Sequence, residues 1–271
     1  MKVNGKVVVV TGAGSGMGRE LTLELIKRGA MVAAVDMRAE TLEETKQLAL
    51  AAGGKVETFI LDVSDDAKVN DLPAQVEAKL GAADALINNA GIIQPFVMIK
   101  DLTVDAAAKV MNVNFHGPLM LTKAFLPGLL ARPEGHILNV SSMGAYAPVP
   151  GQSVYGASKA AIKLFTEGLR SELLTTKVGV TIAFPGAIAT NIAANSGMAV
   201  PAAGSAEASK FKTTAAPLAA KLMVDAIENN KPRLCIGQDA KMMDIMSRIN
   251  PVWAAGVIYK QMKSLLGTSG D

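Results

Sequence analysis

Seven short apolar runs, separated by longer segments of helical period, constrain this chain more than any other feature of its sequence. The runs fall at residues 7–10, 31–35, 56–61, 83–87, 136–140, 180–184 and 233–236. Between them, apolar residues recur at helical spacing over 18–28, 39–52, 65–80, 103–131 and 153–176. A half-exposed strand alternates apolar and polar side chains, whereas these runs are nearly continuous, as strands covered by helices on both faces require. Right-handed crossovers of this kind wind one open sheet. The expectation is therefore α/β, a doubly wound parallel sheet of about seven strands, with its ligand crevice at the carboxyl ends of the strands.

Half of the 271 residues are hydrophobic, enough for one large core. No Pro, Gly or Ser linker divides the chain, so residues 1–271 read as a single domain. One region breaks the rhythm. Residues 185–214 are rich in Ala, Gly, Ser and Pro without a clear period, which makes them a substrate lid or a helix hard to read; we take them as a lid. The tail, residues 238–271, carries Met242, Met243 and Met246, then Pro251, Val252, Trp253 and Tyr259. Its apolar residues point to subunit contact, with a membrane surface as the alternative. The methionines suit core packing, or else an adaptable pocket together with Met198.

Lys and Arg number 27 against 24 Asp and Glu, spread without a basic block, so nothing calls for nucleic acid. Cys235 is the only cysteine, and His116 and His136 lie far apart. Disulfide and metal scaffolds are thereby excluded. The amino-terminal apolar run is too short for a signal peptide, and no apolar stretch reaches 18 residues, so a cytoplasmic protein without a membrane span is expected. The Asn139-Val140-Ser141 sequon lies in a predicted buried strand and reads as chance.

After the first run comes Thr11-Gly12-Ala13-Gly14-Ser15-Gly16-Met17-Gly18, opening directly into a helix. Glycines here let the backbone turn sharply, admit a pyrophosphate without a Cβ in the way, and aim helix N–H groups at its charge. The spacing is G-x-x-x-G-x-G, through Gly12, Gly16 and Gly18, with Ser15 and Met17 between them. The second run is followed by Asp36, where a carboxylate can accept hydrogen bonds from ribose hydroxyls and repel a 2′-phosphate. That favours NAD over NADP, with Arg38 as the reservation. An ordinary turn aspartate is the plain alternative for Asp36.

Tyr155 and Lys159, four residues apart, share one helix face. Alone that pair is weak evidence. Ser142 stands thirteen residues before Tyr155, with Ser141 beside it as a second candidate, and Asn114 lies upstream. Together with Asp62-Val63 and Asn88-Asn89-Ala90-Gly91, this ordered set resembles the classical short-chain dehydrogenase/reductase family over roughly residues 5–190.

The resemblance implies a Rossmann-type fold with a catalytic tetrad at Asn114, Ser142, Tyr155 and Lys159. It implies dinucleotide contacts from the glycine turn and from Asp62, Val63, Asn89, Ala90 and Gly91. Tyr155 and Lys159 would contact the dinucleotide as well, as would Pro185 and Gly186, with Ile188 and Thr190 at the carboxamide. Asn114 would support a water, and a homodimer or homotetramer is expected.

The chemistry also stands by itself. Hydride leaves a carbinol carbon while a proton leaves its oxygen, so a base must touch that oxygen. Tyrosine is a poor base near pKa ~10. A nearby Lys159 ammonium is expected to lower that value, and Ser142 to polarise the substrate oxygen. The function expected is an NAD-dependent oxidoreductase acting on a small-molecule secondary alcohol or ketone. Residues 191–206 carry no charge, and with Met143, Tyr146 and Phe96 they suggest a neutral, apolar substrate. A dinucleotide-binding sensor would not need the tetrad, and a lyase or isomerase usually needs a larger carboxyl-terminal domain. His116 is expected to be structural.

Overall fold

Four consecutive valines open strand β1 (Val7–Thr11) and point alternately to the two faces of a sheet. Val8 and Val10 enter one apolar cluster, and Val7 and Val9 enter another. Burying each such side chain is worth roughly 1.5–3 kcal/mol, so a strand apolar on both faces belongs inside the sheet. The computed structural model describes residues 1–147, 149–190, 192, 196 and 213–262, apart from the side chains of 261 and 262.

Strand β2 (Met31–Asp36), β3 (Lys55–Ile60), β4 (Ala85–Asn88), β5 (Gly135–Val140) and β6 (Val178–Pro185) follow in chain order. Two residue pairs, β7 (Ile188–Ala189) and β8 (Thr214–Ala215), form a small separate parallel ladder, and β9 (Arg233–Ile236) completes the main sheet. That sheet is parallel, ordered β3-β2-β1-β4-β5-β6-β9. The order reverses beside β1, between β1 and β4, and opens a crevice at the carboxyl ends of these two strands.

Helices α1 (Gly16–Lys27), α2 (Ala39–Ala51) and α7 (Ala216–Glu228) cover one face. Leu21, Leu25, Leu42, Val224 and Ile227 meet Val8 and Val10 there. Helices α3 (Asp66–Leu80), α5 (Gly117–Leu130) and α6 (Ser153–Glu172) cover the other through Val69, Leu72, Val76, Leu121, Phe125 and Leu169. The start of α3 follows from its own sequence, because the Asp65 carboxylate accepts the backbone N–H of Lys68. The doubly wound Rossmann-type architecture read from the sequence is thus the observed one, and the described residues form one domain around this sheet.

The single helix expected over 103–131 is divided. A regular α4 (Val104–Met111) passes through a π-turn, Asn112–His116, into α5. Pro118 has no N–H, so it cannot offer Asn114 the usual helical bond, and the Gly117 N–H reaches back five residues to the Asn112 carbonyl. The last helices are α8 (Gln238–Ile249) and α9 (Pro251–Met262). Met243 is buried with Ala147 and Ile258, against Met143 and Tyr146, which is the packing role anticipated for it. Most of the expected lid, Met198 included, and residues 263–271 of the tail lie outside the described residues.

Among the described residues no helix is long and apolar enough to cross a membrane. No cluster of three or more His, Cys, Asp or Glu side chains there could hold a metal ion.

Candidate active site

The turn between β1 and α1 is built on glycine for steric reasons. Gly12 and Gly16 adopt φ of 67° and 53°, a region that side chains disfavour, and a Cβ on Gly18 would overlap the Gly12 carbonyl oxygen. Thr11 Oγ1 donates to the Ile87 carbonyl at 3.3 Å and accepts the Asn89 and Ala90 N–H groups, each at 3.0 Å. The ends of β1 and β4 are thereby locked together, with Ala90 and Gly91 continuing along the crevice. Its place as the first residue of the glycine motif gives no sign of this role.

Asp36 ends β2 and is buried. Its carboxylate accepts the Gly14 N–H at 2.9 Å and the Arg38 N–H at 3.0 Å. The turn role and the ligand role weighed for this residue are therefore not exclusive. The Arg38 guanidinium lies 3.8 Å from the same carboxylate and donates to Ser15 Oγ at 3.1 Å. Asp62 accepts from the Ser64 N–H at 2.9 Å and the Ser64 hydroxyl at 2.7 Å, and the adjoining Val63 is buried.

Across the crevice, Thr190 lies against the turn: a Cβ on Gly16 would be 3.3 Å from the Thr190 side chain. A cavity of about 350 Å³ opens there, lined by Gly16, Arg19, Glu20, Ala189, Thr190, Ala215, Ala216 and Pro217. The Pro185-Gly186 segment is held from the tail, with Asp239 accepting the Ala187 N–H at 2.7 Å. Asp239 was not singled out from the sequence, and neither its spacing nor its neighbours could have revealed it.

The four tetrad candidates come from three elements and converge at the carboxyl end of the sheet. Ser142 follows β5, Tyr155 and Lys159 ride on α6, and Asn114 sits in the π-turn. Gly91 and Gly144 mark how close they come. A Cβ on Gly91 would lie 3.2 Å from Lys159 Nζ and 3.3 Å from Asn114 Oδ1, while one on Gly144 would lie 3.2 Å from the Tyr155 ring and 3.4 Å from Ser142 Oγ. Asn114 is buried; it accepts the Ile92 N–H at 2.9 Å and donates to the Ile92 carbonyl at 2.9 Å and Ser158 Oγ at 3.0 Å. Ser141, the rival serine, is buried and donates to the Lys159 carbonyl at 2.7 Å. Ser142 is the serine that faces Tyr155.

The electrostatics differ from the expectation in one respect. Burial pushes the Tyr155 phenol above its ordinary value, and the hydrogen bond with Ser142 pulls the other way. Lys159 is not what offsets the burial here: its Nζ lies 5.9 Å from the ring centre and donates to the Val140 carbonyl at 3.0 Å. The buried ammonium is itself pushed down to about 8. His116 packs edge-on against Phe115, with ring centres 5.2 Å apart. His136 is a core residue on β5, joined to Thr181 at 2.8 Å.

Gln94, Gln152 and Ser158 also surround the tetrad, and the sequence analysis missed all three. Their partners lie up to 61 positions away, apart from a local bond from Ser158 to the Tyr155 carbonyl.

Residues 6–200 match the model of the short chain dehydrogenase family. The chain is 38% identical over 251 residues to SadH of Mycobacterium tuberculosis, a protein named as an oxidoreductase, covering 90% of this chain and 91% of that protein. Among solved structures it resembles a short chain dehydrogenase/reductase from Burkholderia phymatum in complex with NAD. The TM-score is 0.83 at 26% identity, over 92% of this chain and 93% of the other. A short chain dehydrogenase from Burkholderia cenocepacia in complex with NADP gives 0.80 at 28% identity, over 95% and 99%. Fold, ordered motifs and relatives agree: this chain is an oxidoreductase-type member of the short chain dehydrogenase family.

Proposed function

We propose that the chain is an NAD(H)-dependent oxidoreductase that interconverts a secondary alcohol and a ketone, with Tyr155 as general acid and base. The observation that carries this reading is the convergence of Ser142, Tyr155, Lys159 and Asn114 at the carboxyl end of the sheet, next to a turn in which Gly12 and Gly16 take positive φ and Gly18 has no space for a Cβ.

A dinucleotide fits the residues present. Gly12, Ser15, Gly16, Met17 and Gly18 would hold its pyrophosphate, Asp36 its ribose, and Asp62 and Val63 its adenine. Asn89, Ala90 and Gly91 would line its path, and Pro185, Gly186, Ile188 and Thr190 would hold the nicotinamide end, with Tyr155 and Lys159 at the ribose beside it. The negative charge of Asp36 is the basis for preferring NAD, since it opposes a 2′-phosphate. When bound, the dinucleotide supplies the hydride acceptor and, oxidised, a positive charge that favours the phenolate.

In the oxidative direction the Tyr155 oxygen takes the substrate's hydroxyl proton as hydride leaves the adjacent carbon. Ser142 donates to the substrate oxygen and aims that carbon. The hydrogen bond with Ser142 eases loss of the phenol proton against burial, while Lys159, held at the Val140 carbonyl, would bind the ribose. In reduction the same phenol returns the proton. The substrate we infer is neutral and apolar, because Met143 and Tyr146 bring an apolar cluster to the Ser142 side of the site. Residues 185–214 serve as its lid in this reading. Exposed Val252 and Trp253 on α9 would meet a second copy in a homodimer or homotetramer.

The test follows reduced-nicotinamide absorbance with NAD or NADP across a graded panel of secondary alcohols and ketones, beside Tyr155→Phe. Turnover with NAD that vanishes in Tyr155→Phe while NADH still binds is the expected result. Turnover unchanged by that substitution overturns the assignment, and tight NADH binding without any turnover would favour a sensor.

A further inference from the structure

Gln94 lies in the loop after β4 and is only 1% exposed, an unusual setting for a glutamine. Both polar atoms of its side chain are bonded. Nε2 donates to the Gly151 carbonyl at 2.8 Å, and Oε1 accepts the backbone N–H groups of Val154 at 2.8 Å and Tyr155 at 3.0 Å. Its own carbonyl accepts Gln152 Nε2 at 2.7 Å, so the two glutamines grip each other.

The first N–H groups of a helix have no partner within it. Helix α6 starts at Ser153, and Gln152, at its cap position, makes no side-chain capping bond. Gln94 fills that role from the far side of the site. One of the two N–H groups it takes belongs to Tyr155 itself. The loop that carries Gln94 is also tied to the tetrad, since the Ile92 N–H and carbonyl both bond Asn114. Gly91, at the head of the same loop, faces Lys159 and Asn114.

We propose that Gln94 is a positioning residue, which fixes the first turn of α6, and with it the Tyr155 phenol, relative to Asn114 and Lys159. The proposal rests on Tyr155 being the acid and base of the proposed function. A cap supplied locally would stabilise α6 equally well, yet it would leave the helix free to shift against the loop. A cap supplied by the loop ties the two halves of the site to one another.

Ultraviolet phenolate titration reads this without substrate or cofactor. The chain has three tyrosines, and subtracting the curve of Tyr155→Phe from that of wild type isolates Tyr155. In Gln94→Met the helix start loosens and water reaches a phenol that burial holds high, so the Tyr155 midpoint falls toward its ordinary value. In the same variant kcat drops about ten- to a hundredfold, as misplacement of a reacting group does, while KM stays within about threefold. In Gln94→Glu one carboxyl oxygen accepts the same two N–H groups but the other cannot donate to the Gly151 carbonyl as Nε2 does, so kcat recovers only part of its loss.

Thermal unfolding establishes that each variant is folded. Wild-type midpoint and kcat in folded Gln94→Met overturn the proposal. If that variant does not fold, a kcat in folded Gln94→Glu that drops by more than about a hundredfold, despite the retained acceptor for the two N–H groups, overturns it instead. Failure of the proposed function would show separately, as absent turnover in wild type, while the titration would still report whether Gln94 sets the surroundings of Tyr155.

Discussion

Lys159 Nζ donates to the carbonyl of Val140, the last residue of β5, at 3.0 Å. The bond ties the ammonium to the strand end from which Ser142 emerges, two residues on. It also holds a cation in a place where burial opposes charge, and that conflict has a measurable result.

Lys159→Met should separate function from stability. The native amine is pushed down to about 8 from an ordinary value of 10.5, so at neutral pH the folded chain carries the full cost of keeping it charged. That cost declines as pH rises from about 8 to 10.5. We expect Lys159→Met to lose turnover by at least about a hundredfold and yet to unfold at a higher temperature than wild type at pH 7, with the gap narrowing toward pH 10. Calorimetry at both pH values checks the sign.

Asp36→Ala should change cofactor choice and weaken the fold together. Removing the carboxylate removes repulsion toward a 2′-phosphate, so the ratio of kcat/KM for NADP over NAD should rise at least about tenfold. The Gly14 and Arg38 N–H groups also lose their acceptor, at a cost of about 1–3 kcal/mol. Steady-state kinetics with both cofactors and urea unfolding report the two effects. A wild type that already prefers NADP would refute the role given to Asp36.

Gly18→Ala tests the closeness of the glycine turn. The added methyl would overlap the Gly12 carbonyl oxygen, so the turn must open, at about 1–3 kcal/mol for forced overpacking. NADH affinity should fall more than tenfold. Gly53→Ala offers no comparable clash, since open space surrounds its Cβ position, although its φ of 75° adds backbone strain. It should lower stability without touching NADH affinity, which calorimetric titration can show.

His136 predicts an acid limit to stability. Burial, aided by the positive charges of the amino terminus and Arg170, pushes its imidazole down to about 3 from an ordinary 6.5. A depressed value means that the unfolded chain binds the extra proton first. Stability from this group is complete above about pH 6.5 and declines as pH falls toward 3, by up to about 1.4 kcal/mol per pH unit. Urea unfolding from pH 7 to pH 4 should show the slope, and His136→Gln should flatten it.

The strands were legible because burial on both faces leaves an unbroken apolar run, as in Val7 to Val10, and because the helices between them keep their own period. Ser142, Tyr155, Lys159 and Asn114 were legible because their order and spacing form a set. Ser142 was preferred to Ser141 by spacing alone, and the contact of Ser141 with the Lys159 carbonyl supplies the reason. Gln94 and Asp239 were not legible, since each acts on a segment more than fifty residues away. The break in the helix over 103–131 was missed because a π-turn shifts the apolar pattern by only one residue, and the missing N–H of Pro118 leaves no trace in hydropathy.

That π-turn has a further result for how the chain can change. It holds one more residue than regular winding needs, and each residue of an α-helix advances it by about 100°. Deleting any one residue from 112 to 116 would swing α4 a quarter-turn or more, carrying Val110 out of the interior. Loss of a residue here is therefore expected to disturb the packing of α4, whereas an exchange of one side chain would leave α4 in register. The spare residue that brings Asn114 inward also sets the angle at which α4 packs on α6.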